Sequence, residues 1–317
     1  MKVLANDGIS QAGIDALEKA GYEVITTKVA QEQLVTYINN NKVDVLLVRS
    51  ATKVRTDIID NCPSLKVIGR GGVGMDNIDV DYARAKGLQV INTPASSSES
   101  VAELVFAHLF SGVRFLYDSN RNMPLEGDSK FEKLKKDYAN GIELRGKTLG
   151  IIGFGRIGRA VAKMGLGLGM RVIASDKYVG NAEVKVDFYN GQFINVDIAT
   201  EPIEDILKVA DFITLHVPAQ EDGYVIGQPE FELMKDGAAI INASRGGVID
   251  EVALIDALDS GKLSFAGLDV FENEPTPAIQ VLMHPKISLT PHIGAATNEA
   301  QDRIGTELAE QIVGLLG

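Results

Sequence analysis

Cysteine is nearly absent. Cys62 is the only one in 317 residues, which excludes an intrachain disulfide and any Cys-rich zinc site. Positive charge is also scarce, with 31 Lys and Arg against 43 Asp and Glu and a formal net charge of −12. A surface of that sign argues against nucleic acid or an anionic membrane as a partner. No apolar run approaches the roughly 20 residues of a membrane span. The opening MKVLANDGIS has no signal-peptide core, so the expected setting is the cytoplasm. What remains is a globular composition with 45% hydrophobic residues. A length of 317 residues, at about 150 per domain, suggests two domains.

The N-terminal third alternates short apolar segments with polar-faced helical ones. KVLAND (2–7), YEVITT (22–27), VDVLLVRS (43–50), LKVIGR (65–70) and LQVINT (88–93) read as strands. Segments such as Ser10–Ala20 and Gln31–Asn40 carry helical periodicity. Near-continuous apolar strands joined by helices predict a parallel sheet covered on both faces. Ser96-Ser97-Ser98-Glu99 is a helix-start signal, and the apolar run behind it predicts a buried linking helix. Residues 119–147 are polar and lysine-rich and are expected to form an arm or loop outside the core.

The alternation restarts with TLGIIG (148–153), then MRVIASD (170–176), DFITLHV (211–217), GAAIINAS (237–244), FAGLDV (265–270) and ISLTP (287–291). A closing helix over 297–317 carries Ile304, Leu308, Ile312 and Leu315 on one stripe. One segment departs from the pattern. EVKVDFYNGQFINVDIAT (183–200) alternates around Asn190-Gly191, which predicts a hairpin. A two-residue turn would mix its faces. A three-residue loop pairs Phe188 with Gln192, Val186 with Ile194 and Val184 with Val196, leaving Gly191 in the left-handed position.

After the strand TLGII comes Gly153-Phe154-Gly155-Arg156-Ile157-Gly158, followed by a helical run. The next strand ends in Asp176, roughly 20 residues on. In that context Gly153 permits the tight turn, Gly155 lets backbone approach a pyrophosphate, and Gly158 lets helix pack on strand. The first turn of the helix, from Arg156 and Ile157, offers N–H groups to phosphates. Asp176 can accept a ribose 2′-hydroxyl and repel a 2′-phosphate, which favours NAD over NADP; Lys177 weakens that exclusion. S-adenosylmethionine also fits such a turn, so hydride chemistry needs the second half of the chain.

Three polar segments follow apolar strands there: Ser244-Arg245-Gly246-Gly247, Asp269-Val270-Phe271-Glu272-Asn273-Glu274-Pro275, and Thr290-Pro291-His292-Ile293-Gly294. Strand carboxyl ends are where open α/β sheets bind ligands. Together with GFGRIG, the runs INASRGGVID (241–250), GLDVFENEP (267–275) and TPHIGAAT (290–297) give a chain that resembles the D-isomer-specific 2-hydroxyacid dehydrogenases along its length. VRSATKV (48–54) and GRGGVGMDNID (69–79) look most like the D-3-phosphoglycerate dehydrogenase branch.

The resemblance implies a catalytic set of Arg245, Glu274 and His292. His292 would take the hydroxyl proton, an imidazole being suited to reversible transfer. Glu274 would fix its tautomer and stabilise the imidazolium, and is preferred to Glu272 because it directly precedes Pro. Arg245 would clamp the substrate carboxylate with its planar fork. Asp269 would face the nicotinamide carboxamide, and His216-Val217-Pro218 the adenosine side. Val73, Ala243, Ser244, Arg245, His292 and Gly294 would also line the cofactor. The substrate would meet Arg49, Ser50, Lys53, Arg70, Gly72, Val73 and Arg245, with Arg49, Lys53 and Arg70 supplying charge for a phosphate. No metal is implied. His108 is expected as a satisfied core histidine, His284 as a solvated loop residue, and Cys62 without chemistry.

The implied fold is α/β, two doubly wound parallel-sheet domains. A Rossmann NAD domain with linking helix and arm (95–291) is inserted into a flavodoxin-like substrate domain (1–94 and 292–317). Family members pair through the linking helix and arm, so a homodimer or higher homo-oligomer is expected. The regulatory domain of longer phosphoglycerate dehydrogenases is expected to be absent, and with it feedback inhibition. The hairpin at 183–200 and the loop Ala219–Gly223 depart from the family pattern on the adenosine side. The implied reaction is NAD-dependent oxidation of D-3-phosphoglycerate, as in serine biosynthesis. The alternatives are a glyoxylate or hydroxypyruvate reductase and, more remotely, an NAD-sensing corepressor-like protein.

Overall fold

The computed structural model describes residues 1–317. It divides into one unit of Met1–Ser100 with Ala295–Gly317 and a second of Val101–Gly294. In the first unit the apolar runs form β1 (Lys2–Ala5), β2 (Glu23–Ile25), β3 (Val45–Val48), β4 (Val67–Arg70) and β5 (Gln89–Asn92). They lie in the order β2-β1-β3-β4-β5 with every pairing parallel. This is the flavodoxin-like order, in which the sheet reverses its winding between β1 and β3.

Both faces of that sheet are buried, which is why its strands do not alternate with polar residues. Leu4, Leu46, Val48 and Ile68 enter one core, while Val3, Ala5, Val45, Leu47 and Val67 enter the other. The second face is covered by helix Asn298–Leu316 through Ile304, Leu308 and Ile312. Thr297 caps that helix by accepting the Ala300 N–H at 3.2 Å. Leu315, expected on the same stripe, is instead exposed, and Val313 and Leu316 pack against this core in its place.

The second unit contains β6 (Thr148–Ile152), β7 (Arg171–Ser175), β8 (Asn181–Asp187), β9 (Phe193–Ala199), β10 (Phe212–Leu215), β11 (Ala238–Asn242), β12 (Leu263–Leu268) and β13 (Ile287–Leu289). Six of these form a parallel sheet in the order β13-β12-β11-β10-β6-β7. A third Rossmann strand beside β7 is reduced to one parallel bridge, Ala174 to Thr200. The chain leading to Thr200 is taken up by β8 and β9, which pair antiparallel with Val184 opposite Val196 and Val186 opposite Ile194. Phe188 donates its N–H to Gln192 at 2.8 Å, and Gly191 has φ +84°, so the hairpin closes on the expected three-residue loop. Ala182, Val184 and Val186 are buried on its inner face, whereas Tyr189 at the tip is fully exposed.

Helix Ser98–Val113 is buried along Val101, Ala102, Val105, Phe106 and Leu109, as its apolar faces predict. Residues 119–147, expected as an arm or loop, are largely helical rather than a loop. They include most of helix Leu116–Glu126 and all of helix Phe131–Asp137, with Leu134 and Leu144 buried. Tyr138 ties the two helices together by donating to Asp118 at 2.8 Å and accepting from Asn122 at 2.7 Å. Such short helices are held by tertiary bonds rather than by their own periodicity, so the polar composition concealed them. No helix is long and apolar enough to cross a membrane.

Candidate active site

Five neighbouring strands of the second unit, β6, β10, β11, β12 and β13, end in the segments singled out from the sequence. Behind β6, Gly153 turns with φ +96°, and a Cβ there would strike the His216 carbonyl oxygen. A Cβ on Gly158 would strike the Gly153 carbonyl oxygen, so helix Arg156–Gly167 can approach the strand only with glycine at that position. Gly155 differs, because nothing lies within 4 Å of the position its Cβ would take. No side chain caps the helix it begins, so the N–H groups of the first turn have no capping acceptor. Asp176 accepts the N–H of Phe154 at 2.6 Å and those of Tyr178 and Val179 at 2.8 and 3.1 Å. It therefore fixes the glycine turn while one carboxylate lone pair remains.

His216 walls the same turn, with Val217 beside it. Its Nε2 meets Thr214 Oγ1 at 2.9 Å, whereas its buried Nδ1 has no partner. Burial pushes the ring's pKa down to about 3, so it stands neutral. An open helix start, a close backbone approach and an orphaned ring nitrogen all fit a dinucleotide.

The catalytic candidates gather at β11, β12 and β13. Asn242, the last residue of β11, accepts the Ser244 N–H at 3.1 Å and hydroxyl at 2.8 Å, and donates to the Arg245 carbonyl at 2.9 Å. That turn sets the direction of Arg245, whose guanidinium donates to the Ser244 carbonyl at 2.7 Å. A Cβ on Gly246 would overlap the Phe271 carbonyl, so the Arg245 loop packs directly on the loop carrying Glu274. Glu274 places Oε2 at 2.8 Å from His292 Nδ1, while its Oε1 accepts the Phe271 N–H at 3.1 Å. Both side chains of this pair are 37% exposed.

A carboxylate only accepts, so Nδ1 of His292 carries a proton, and in the neutral ring Nε2 keeps its lone pair. His292 has φ +54°, a left-handed conformation costing a non-glycine residue about 1–2 kcal/mol. Glu272, the rival acid, is turned elsewhere. It accepts the Glu251 N–H at 2.9 Å while Glu251 accepts the Glu272 N–H at the same distance.

Asp269, expected from the resemblance to face the nicotinamide carboxamide, is bonded to the turn that carries His292. It is 1% exposed and accepts Ile293 N–H and Gly294 N–H at 2.8 Å each, together with the Thr290 hydroxyl at 2.6 Å. Its first task is to hold the turn behind His292. Ala243 is buried and Ser244 half-buried in the neighbouring loop.

A family model for the D-isomer specific 2-hydroxyacid dehydrogenase NAD binding domain matches residues 106–294. The chain belongs to that family. A curated D-3-phosphoglycerate dehydrogenase from Methanocaldococcus jannaschii is 42% identical over 98% of this chain, which spans 57% of that relative's length. A hydroxypyruvate reductase from Thermotoga maritima is also 42% identical, over 100% of this chain and 98% of its own. Among solved structures, D-lactate dehydrogenase from Aquifex aeolicus in complex with NAD and lactic acid aligns with a TM-score of 0.74 at 29% identity, covering 100% of this chain and 95% of that one. The dinucleotide of this dehydrogenase family is therefore NAD, in keeping with the turn described above.

The substrate residues expected of the family lie in the first unit. Arg49 follows β3 and Arg70 ends β4, and the two strands are neighbours with Val48 opposite Arg70. Asp7 holds the loop after β3 by accepting the N–H groups of Arg49 and Thr52 at 2.7 and 3.0 Å. Burial opposes ionisation of Asp7, but Lys28 and these N–H groups outweigh it and lower its pKa. Asn77 donates to the carbonyls of Arg49 and Thr52 at 2.7 and 2.6 Å. Ser50 and Lys53 are exposed, Gly72 donates to Thr93 Oγ1 at 2.8 Å, and Val73 is 38% exposed.

Several residues that shape the loops of each unit were not singled out in the sequence. Asn242, Glu251, Asp7 and Asn77 hold loop backbone by hydrogen bonds, and only the position of Asn242 two residues before Ser244 points to its turn. His284 corrects an expectation: it is 7% exposed and meets Asp259 at 3.2 Å, because the Pro285 loop folds back on helix Glu251–Asp259.

Proposed function

We propose that the chain interconverts a small D-2-hydroxy acid and its 2-oxo acid, with D-3-phosphoglycerate and 3-phosphohydroxypyruvate as the pair. The observation that carries this reading is the 2.8 Å bond between Glu274 and His292, which leaves His292 Nε2 ready to accept a proton. In the oxidation, Nε2 takes the proton of the C2 hydroxyl as the C2 hydride departs, and the alcohol becomes a carbonyl. Bound NAD supplies the hydride acceptor. Glu274 stabilises the imidazolium that forms, and Arg245 holds the carboxylate through charge-assisted hydrogen bonds. In reduction the same proton returns from Nε2 to the new alkoxide oxygen.

The phosphate is assigned to Arg49 and Arg70, with Lys53 on the loop between them. A chain of net charge −12 must concentrate positive charge locally to hold such a group. Pairing with a second copy is assigned to the apolar surface of the linking helix and arm, where Phe110, Leu116, Leu125 and Phe131 are exposed.

A second reading has its own support. The Thermotoga maritima hydroxypyruvate reductase matches this chain over nearly its whole length, unlike the longer phosphoglycerate dehydrogenase. NADH oxidation with a panel of 3-phosphohydroxypyruvate, hydroxypyruvate and glyoxylate separates the two. Preference for the phosphorylated acid is expected; outright preference for hydroxypyruvate or glyoxylate moves the assignment to the second reading.

A further inference from the structure

His108 is 2% exposed on helix Ser98–Val113, where the sequence suggests only a core histidine. Its ring spans two hydroxyls of the β13 segment, with Nδ1 at 2.9 Å from Ser288 Oγ and Nε2 at 3.0 Å from Thr290 Oγ1. The Thr290 hydroxyl has a single proton, and it goes to Asp269 Oδ1 at 2.6 Å. Thr290 can therefore only accept from the imidazole, which places the proton of His108 on Nε2. Nδ1 then accepts from Ser288. Burial lowers the pKa of His108 against the opposing pull of Asp269, the one charge facing it, and this keeps the ring neutral.

The chain of donors thus runs in one direction, from Ser288 through His108 and Thr290 to Asp269. It ends on the carboxylate whose oxygens accept the N–H groups of Ile293 and Gly294. Those two bonds hold the residues directly after His292, which itself sits in a left-handed conformation. Room for the ring is made on the sheet: a Cβ on Gly267 would lie 2.7 Å from the His108 Cβ.

We infer that His108 is a positioning residue for the reaction, holding the base His292 in place through Thr290 and Asp269. It touches neither substrate nor cofactor. The inference rests on the proposed reading of His292 as the base.

The test uses the full chain with His108→Leu and His108→Gln. Leucine removes both ring bonds, whereas glutamine keeps a donor for Thr290 and an acceptor for Ser288. His108→Leu should lower kcat about tenfold with KM for NADH within about twofold, and His108→Gln should recover kcat to within about threefold of wild type. Wild-type kcat in His108→Leu, or a glutamine variant no better than leucine, overturns the inference. Should His108→Leu fail to fold, nitrogen-15 spectra of the wild-type protein decide, since the chain has only 4 histidines. A neutral His108 with its proton on Nε2 is expected, and a proton on Nδ1 contradicts the chain. If wild type reduces no 2-oxo acid, the reading of His292 fails instead, and the spectra still report on the chain.

Discussion

Glu274 and His292 are joined by one bond of 2.8 Å, and the second oxygen of Glu274 is fixed by the Phe271 N–H. Because Glu274 is held from its own loop, it presents Oε2 to the imidazole in a set direction. Glu274→Gln keeps the shape but can turn its amide donor towards Nδ1, which selects the wrong tautomer and removes the charge that stabilises imidazolium. We expect kcat to fall about 10²-fold or more, with KM for NADH little changed. Steady-state kinetics within a few fold of wild type would reduce Glu274 to a structural neighbour.

Asp176 tests the cofactor reading. Its carboxylate holds Phe154 N–H in the glycine turn and has a lone pair left for a ribose hydroxyl. Asp176→Ser should raise KM for NADH about 10-fold or more and improve the use of NADPH relative to NADH. The comparison of the two cofactors in wild type is equally decisive, because equal use of both contradicts the role given to this carboxylate.

Arg49 tests the substrate assignment. A charge-assisted contact to phosphate is worth about 1.5–3 kcal/mol, or roughly 10–150-fold in binding. Arg49→Ala should raise KM for 3-phosphohydroxypyruvate by that order while leaving hydroxypyruvate nearly unaffected. Equal losses on both substrates would place Arg49 on the carboxylate or in the fold.

Much of this architecture is legible in the sequence because parallel strands buried on both faces are apolar throughout. VLLV at 45–48 and TLGII at 148–152 can hardly be anything else. The hairpin loop is legible through parity alone, since only one register puts Val184, Val186, Ile194 and Val196 on a common face. What stays hidden depends on chain segments meeting. The reciprocal bonds of Glu251 and Glu272 join residues 21 apart, and those of Asp7 reach residues more than 40 away. Neither has a local pattern. His108 is the sharpest case: an apolar helix explains its burial, but its role depends on hydroxyls of Ser288 and Thr290 that only the fold brings to it.

Acid should weaken the folded chain through His216. Its folded pKa is about 3 and its ordinary value 6.5, so between these values the unfolded chain binds a proton that the native one refuses. Stability from this residue is therefore complete above about pH 6.5 and falls as the pH drops towards 3. Between about pH 7.5 and about pH 5.5 the loss amounts to about 1.4 kcal/mol. Urea unfolding of His216→Gln across that interval should show a pH-dependent loss smaller by this amount. An identical pH dependence in variant and wild type would mean that His216 is not buried as the structure has it.

The central claim is that His292 moves the proton. The most direct measurement is the turnover of His292→Asn with NADH and the best 2-oxo acid, set beside NADH binding by fluorescence. The account predicts a fall in kcat of about 10²–10⁴-fold with the NADH dissociation constant nearly unchanged. Turnover within a few fold of wild type would contradict it and take His292 out of the reaction.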